Sequence, residues 1–145
     1  QANHQMEAQK PLITFDDFSK NDMRVGTIIA AERVPKTKNL LKMTIDTGID
    51  QRTVVSGIAA YYEPENIIGQ QVTILVNLAP RDIKGITSEG MILMAENKEG
   101  KLEFVAPNKG FTDPTSDTSM PRGKIGGIRN YFRSIDVSIK KIGQV

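Results

Sequence analysis

The order of hydrophobic periodicities along this 145-residue chain limits its fold more than any one motif does. From Leu41, apolar and polar residues alternate, with Leu41, Met43, Ile45 and Thr47 on one face and Lys42, Thr44 and Asp46 on the other. Thr47-Gly-Ile-Asp-Gln51 then reads as a turn and Arg52–Ser56 as the returning strand, a β-hairpin with one wet face. Upstream, the β-rich run Met23–Val34 holds Gly26 and the adjacent Ile28 and Ile29, which break strict alternation and predict a bulge or strong bend. Before it, Thr14-Phe-Asp-Asp-Phe18 offers a capping threonine and first-turn acids, the signature of a short helix. Downstream, Glu63-Pro-Glu-Asn-Ile-Ile-Gly69 has proline near its start and glycine at its end, which predicts a second short helix. Strands resume at Val72–Asn77, whose faces are both partly apolar, so this strand is expected to be central. Pro80–Glu89 reads as a long loop, and Met91–Ala95 and Leu102–Ala106, joined by the Asn97–Gly100 turn, finish the set.

Three strands, one short helix and two or three further strands within about 95 residues fit a small closed barrel of the oligonucleotide/oligosaccharide-binding type, the OB-fold. The expected class is therefore all-β, a five-stranded OB-fold barrel with a short helix between strands three and four, plus flanking terminal segments. A two-sheet sandwich is the rival and requires no helix at that place. Residues 1–13 read as linker or leader, 14–109 as the barrel domain, and 110–145 as a linker and basic C-terminal extension. The linker reading rests on the run Thr112-Asp-Pro-Thr-Ser-Asp-Thr-Ser119, and Arg129–Val145 alternates loosely, as one more strand or an interaction tail. Because the chain begins at Gln1, it is expected to be part of something longer or trimmed.

Charge is distributed unevenly. Residues 1–118 carry 13 Lys and Arg against 16 Asp and Glu, while 119–145 carry six against one, so the net +2 describes neither part. A mildly acidic barrel does not bind nucleic acid by bulk charge, and any anion binding must come from placement. No apolar stretch approaches the ~20 residues that cross a bilayer, so no membrane partner is expected. The absence of cysteine rules out disulfides, thiolate metal sites and a thiol nucleophile, and fits a reducing, cytoplasmic compartment. His4, the only histidine, sits in a polar leader without ligand partners, so no metal and no cofactor are expected. Asp16-Asp17 and Glu63/Glu65 are placed for helix starts, and Ser56 and Ser88 lack a histidine base, so no catalytic residues are assigned. Gly123-Lys124 is no phosphate loop, since Ile125 stands where a magnesium-binding Ser or Thr belongs.

Binding has better support. An OB barrel offers strands two and three and their flanking loops to nucleic acid. Arg33, Lys36, Lys38 and Lys42 surround the first hairpin strand, Arg52 opens its partner, and Arg81 and Lys84 lie in the long loop before strand five. Six strings also occur in order: Val25-Gly26-Thr-Ile, Leu41-Lys-Met-Thr-Ile-Asp-Thr-Gly48, Val55-Ser-Gly-Ile-Ala59, Tyr62-Glu-Pro-Glu-Asn-Ile-Ile-Gly69, Val76-Asn-Leu-Ala-Pro80 and Ser88-Glu-Gly-Met-Ile-Leu93. Together, over about Phe15 to Lys109, they resemble the tRNA-binding domain family. Pro35–Lys42 and Asn77–Arg81 are most similar to the branch appended to the C-terminus of bacterial methionyl-tRNA synthetases. The chaperone branch of that family usually has an insert in the first loop that this chain lacks.

The resemblance implies a noncatalytic tRNA-binding module that raises the tRNA affinity of a synthetase and supports homodimerisation, with tRNA as partner and no DNA. It implies RNA contacts from Lys42, Arg52, Ser56, Asn77, Lys84, Ser88 and Met91, with further phosphate contacts from Arg33, Lys36, Lys38 and Arg81. Asn77 has an alternative role in capping the next loop, Met91 in the core, and Tyr62 is expected under the short helix. Pro121-Arg-Gly-Lys-Ile125 is the segment that could close the domain as the family does, although the intervening Gly110–Ser119 departs from its pattern. A chaperone or protein-interaction module on the same barrel is the alternative function. A generic single-strand binder would need stacking aromatics, and aromatic residues are 6% of the chain.

Overall fold

A computed structural model describes residues 7–108 and the backbone of Gly123–Ile125. Helix α1 (Phe15–Ser19) starts as its sequence predicts, the Asp17 N–H donating to Thr14 Oγ1 at 3.1 Å. The long strand β1 (Met23–Arg33) follows. Strand β2 (Leu41–Asp46) pairs antiparallel with the second half of β1, and the register shifts between Ile28 and Ala30, which is the expected bulge. Strand β3 (Gln51–Ser56) completes the hairpin with β2. Strand β4 (Gln71–Leu75) pairs with β1 from Thr27 back to Met23. Thr27 faces both Asp46 and Gln71, so β2 and β4 lie on opposite edges of β1 and β4 is central, as its two apolar faces predict.

The rest of the chain closes the wall. Strands β5 (Arg81–Ile83) and β6 (Ile86–Ser88) form a hairpin, β7 (Met91–Ile92) pairs with β4, and β8 (Met94–Glu96) pairs with β9 (Leu102–Phe104). The sheet runs β3-β2-β1-β4-β7 and returns to β3 through Ser88 and Glu89. There the Glu89 N–H donates to Thr53 O at 2.8 Å, the Thr53 N–H to Glu89 Oε1 at 3.2 Å, and the Val55 N–H to Ser88 Oγ at 3.0 Å. The result is a nearly closed, five-stranded, all-β barrel of OB type. Ile28, Leu41, Met43, Ile45, Val72 and Ile74 fill it with no exposed surface. At ~1.5–3 kcal/mol per buried side chain of this size, they are its main source of stability.

Several sequence expectations need correction. Pro80–Glu89 is a β-hairpin and not a long loop, because Lys84 (φ +54°) and Gly85 (φ +83°) make a two-residue type I′ turn that lets Arg81 face Ser88. The segment Glu63–Gly69 holds only a 3₁₀ turn at Pro64–Asn66, too short to bury a face. The run Met91–Ala95 is two strands, since β7 joins β4 while β8 turns away to β9. Tyr62 packs on β9: its ring lies 4.7 Å from Phe104 and its hydroxyl donates to Leu102 O at 2.8 Å. Burial first, and the charge of Glu103 second, raise its phenol above the usual 10.0.

The leader with His4, the Thr112–Ser119 linker and most of the basic extension lie outside the described residues. The exception is strand β10 (Gly123–Ile125), which pairs with Met23–Val25 of β1. Since β4 holds the other edge of the same residues, β10 continues the edge that β2 occupies further along.

At the barrel end where β4 stops, Arg52 acts as a latch. Its register opposite Ile45 aims it to the core side, where the guanidinium donates to the carbonyls of Val76 and Glu89 and to the Asp50 carboxylate at 3.0 Å. The hydrogen bond from Arg52, opposed by burial and helped by Thr47, holds the Asp50 carboxyl below its usual 3.8. A carboxyl lowered in the folded state stabilises the fold above its unfolded value and loses that contribution as pH falls through the folded value. In urea melts between pH 6 and pH 2, the wild type is therefore expected to exceed Asp50→Asn in stability at the upper end and to converge with it at the lower. A constant gap across that range would remove the charge from the latch.

The bend in β1 depends on Gly26. A Cβ there would lie 2.8 Å from Ile45 Cγ2 and 3.1 Å from Asp46 O, whereas one on Gly57 would meet nothing within 4 Å. Gly26→Ala is expected to cost ~1–3 kcal/mol by overpacking. Gly57→Ala is expected to stay within about 0.5 kcal/mol of wild type in the same melt. Equal effects at the two sites would contradict the close packing of β1 on β2.

Candidate nucleic-acid interface

Register sorts the candidate side chains by face, because residues directly opposite in an antiparallel pair share one side of the sheet. Lys42 faces Val55 and Thr44 faces Thr53, so Lys42, Thr44 and Thr53 lie on the outer wall of β2 and β3. Lys42 Nζ is 3.7 Å from Glu32, its neighbour across β1. Ser56 instead faces Leu41, on the core side at the mouth of the barrel. Arg52 is on the core side at the other mouth, spent on its latch.

Two loops flank the outer wall at the end where β2 begins. The first, between Arg33 and Leu41, is fastened by Val34 N–H to Leu40 O at 3.1 Å and by Ala59 N–H to Asn39 O at 2.9 Å, the latter tying it to the segment that leaves β3. It carries Lys36 and Lys38, both exposed, and Arg33, whose guanidinium is 2.9 Å from Glu63. The second is the β5–β6 hairpin. Glu89 bonds to Thr53 and Ser88 to Val55, so β6, traced back from Ser88, runs along β3 toward Ser56. At ~3.3 Å per residue, the two steps to Ile86 bring the Lys84-Gly85 tip level with the end of β3. Lys36, Lys38, Lys42 and Lys84 are thus gathered at one end, with Arg81 further down the hairpin.

Three of the expected contact residues have their polar atoms committed within the fold. Ser88 is 4% exposed, its hydroxyl accepting from Val55 and donating to Gly90 O at 3.4 Å. Asn77 accepts from the Asp22 N–H at 2.9 Å and donates to Lys20 O at 2.6 Å, which fastens the segment after α1 to the end of β4. The expected cap on the next loop is replaced by these bonds to the segment before β1, because both polar atoms of the amide are taken by Lys20 and Asp22. Arg52 is the third. Met91, opposite Leu75 on the outer side of β7, is 47% exposed and so does not belong to the core. Thr53 is the residue that sequence reading passed over. Its signal was the same alternation that marked Thr44, carried one strand further.

A cleft of about 470 Å³ lies at the opposite end, between Asp50–Arg52, the Val76–Pro80 loop and Glu89. Two carboxylates there oppose one guanidinium already bonded to both sides, so it repels phosphate. Among the described residues no cluster of three or more His, Asp or Glu could hold a metal ion. No helix among them is long and apolar enough to cross a membrane. Polar hydroxyls and lysines on a barrel wall between two cationic loops can hold a phosphate backbone.

Known proteins share this barrel. Residues 23–116 match the family described as "Putative tRNA binding domain". The chain is 65% identical over 106 residues to a methionine–tRNA ligase of Cytophaga hutchinsonii, an alignment covering 73% of this chain and 15% of that protein. Among solved structures, a MetRS-related protein from Pyrococcus horikoshii is 31% identical with a TM-score of 0.67, covering 81% of this chain and all of that one. The CsaA chaperone protein of Picrophilus torridus is 27% identical with a TM-score of 0.65, over 79% of this chain and all of that one. The chain thus spans about one seventh of the ligase it matches and the whole of the two solved chains. With the family's match covering well over half of its residues and its barrel reproduced throughout, the chain belongs to the tRNA-binding domain family.

Proposed function

We propose that this chain is a noncatalytic tRNA-binding module that works as the C-terminal appended domain of a cytoplasmic methionyl-tRNA synthetase. The observation that carries the reading is the gathering of lysines from three separate segments beside the β2–β3 wall of a barrel that is otherwise mildly acidic. Identity to the ligase supports the synthetase setting. Binding of this kind follows the shape and backbone of folded RNA more than its bases. It lowers the KM for tRNA and leaves aminoacyl chemistry to the rest of the enzyme. Lys42, Ser56, Lys84 and Met91 remain the side chains open to RNA, with Lys36, Lys38 and Arg81 as phosphate contacts, and Arg52, Asn77 and Ser88 acting through the shape of the wall. A homodimer would raise avidity by effective concentration. The apolar surface beside α1, where Leu12 is 86% and Ile13 67% exposed, supports that assembly.

The chaperone relative favours a second reading, a polypeptide-binding module on the same barrel. Titration of folded tRNA and of a length-matched unstructured RNA across a salt series separates them. Tighter binding of folded tRNA, with Lys42→Ala weakening it and lowering the log–log salt slope by about one, is the expected result. Binding of unfolded polypeptide that ignores Lys42→Ala, with no salt-dependent tRNA binding, would replace the RNA reading by the chaperone one.

A further inference from the structure

Two lysines at the binding end occupy backbone conformations that lysine rarely adopts. Lys36 has φ +64° and Lys84 φ +54°, the only positive values outside glycine among the described residues. Lys36 follows Pro35, whose ring fixes φ near about −65°, and the Thr37 N–H donates to Val34 O at 3.3 Å. Negative then positive φ across a hydrogen-bonded turn is type II, whose third position is normally Gly or Asn. Lys84 holds the first central position of the type I′ turn between Ile83 and Ile86, where Asn or Gly is again the ordinary choice. Both turns would be more stable with asparagine.

The charges at these two tips are also uncommitted. Lys42 and Arg33 each have a carboxylate partner, Glu32 and Glu63, whereas Lys36 and Lys84 are exposed and form no ion pair among the described residues. A tight turn fixes the Cα of its lysine, so less chain entropy is lost when the ammonium engages a phosphate. We propose that Lys36 and Lys84 form a two-point phosphate clamp flanking the β2–β3 wall, lysine standing at both turn tips for its charge and against the backbone's preference. Strained backbone persists where it serves a site, and here the same residues have no ion-pair partner among the described residues. The clamp rests on the tRNA-binding reading and identifies its main backbone contacts.

The test uses the 145-residue chain as wild type, Lys36→Asn, Lys84→Asn, their double variant and the corresponding double Lys→Arg variant. Each is melted thermally and titrated with folded tRNA across a salt series. Each asparagine variant is expected to melt a few degrees higher. Each is also expected to bind several-fold more weakly at low salt, its slope falling by about 0.7 to 0.9 per lysine removed. The arginine variant should keep both slope and affinity. An unchanged slope in the double asparagine variant, or an equal loss with arginine, would overturn the clamp while leaving tRNA binding intact. An unchanged or lowered melting temperature would overturn the claim that the backbone opposes lysine there. A wild type without salt-dependent tRNA binding would remove the underlying reading as well.

Discussion

Strand β1 must keep hydrogen-bonded neighbours on both edges while bending through the barrel wall, and the arrangement of every other strand follows from how it does so. Its first half lies between β4 and β10, and its second half carries β2. A regular strand of 11 residues would be too straight to serve both halves of a small barrel. Gly26 lets Ile45 and Asp46 come within van der Waals range of its backbone, and the register shift after Ile28 adds twist where β2 takes over. The β5–β6 hairpin then runs along β3 from the seam at Ser88 and Glu89.

The same bend separates two ends with different chemistry. At one, Arg52, Asp50, Asn77 and Glu89 lock the Val76–Pro80 loop and α1 to the barrel with bonds that are satisfied internally. At the other, Lys36, Lys38 and Lys84 stand on loops and form no ion pair among the described residues. The excess of acidic over basic residues in residues 1–118 is therefore compatible with the proposed RNA binding, because the Asp50 and Glu89 carboxylates are engaged at the latch end, away from the lysine-bearing loops. Glu32 and Glu63, by contrast, sit among the cations and moderate them. Such a surface favours weak, salt-sensitive association over permanent attachment.

Alternation at Leu41–Asp46 and the broken alternation near Ile28 make the hairpin, the bulge and the barrel class legible in the sequence. Periodicity reports burial directly, and these segments are buried on one side. The β5–β6 hairpin was not legible, since Lys84-Gly85 lacks the Asn-Gly pair that usually announces a type I′ turn and its strands are three residues each. Among the site residues, Lys42 could be placed outward from its own strand alone. Ser56, Arg52 and Ser88 could not, because their faces depend on cross-strand register and on which backbone groups remain unpaired at the barrel seam. Asn77 looked polar at a strand end in sequence, and only a contact 57 residues away explains it.

Amide hydrogen exchange of the chain with and without folded tRNA tests the separation of ends most directly. Protection on binding is predicted over the Arg33–Leu41 loop, β2, and the Lys84-Gly85 tip, with residues Asp50–Arg52 and Val76–Pro80 unchanged. Protection concentrated at the Arg52 latch and its cleft, with the lysine-bearing loops unaffected, would contradict the account.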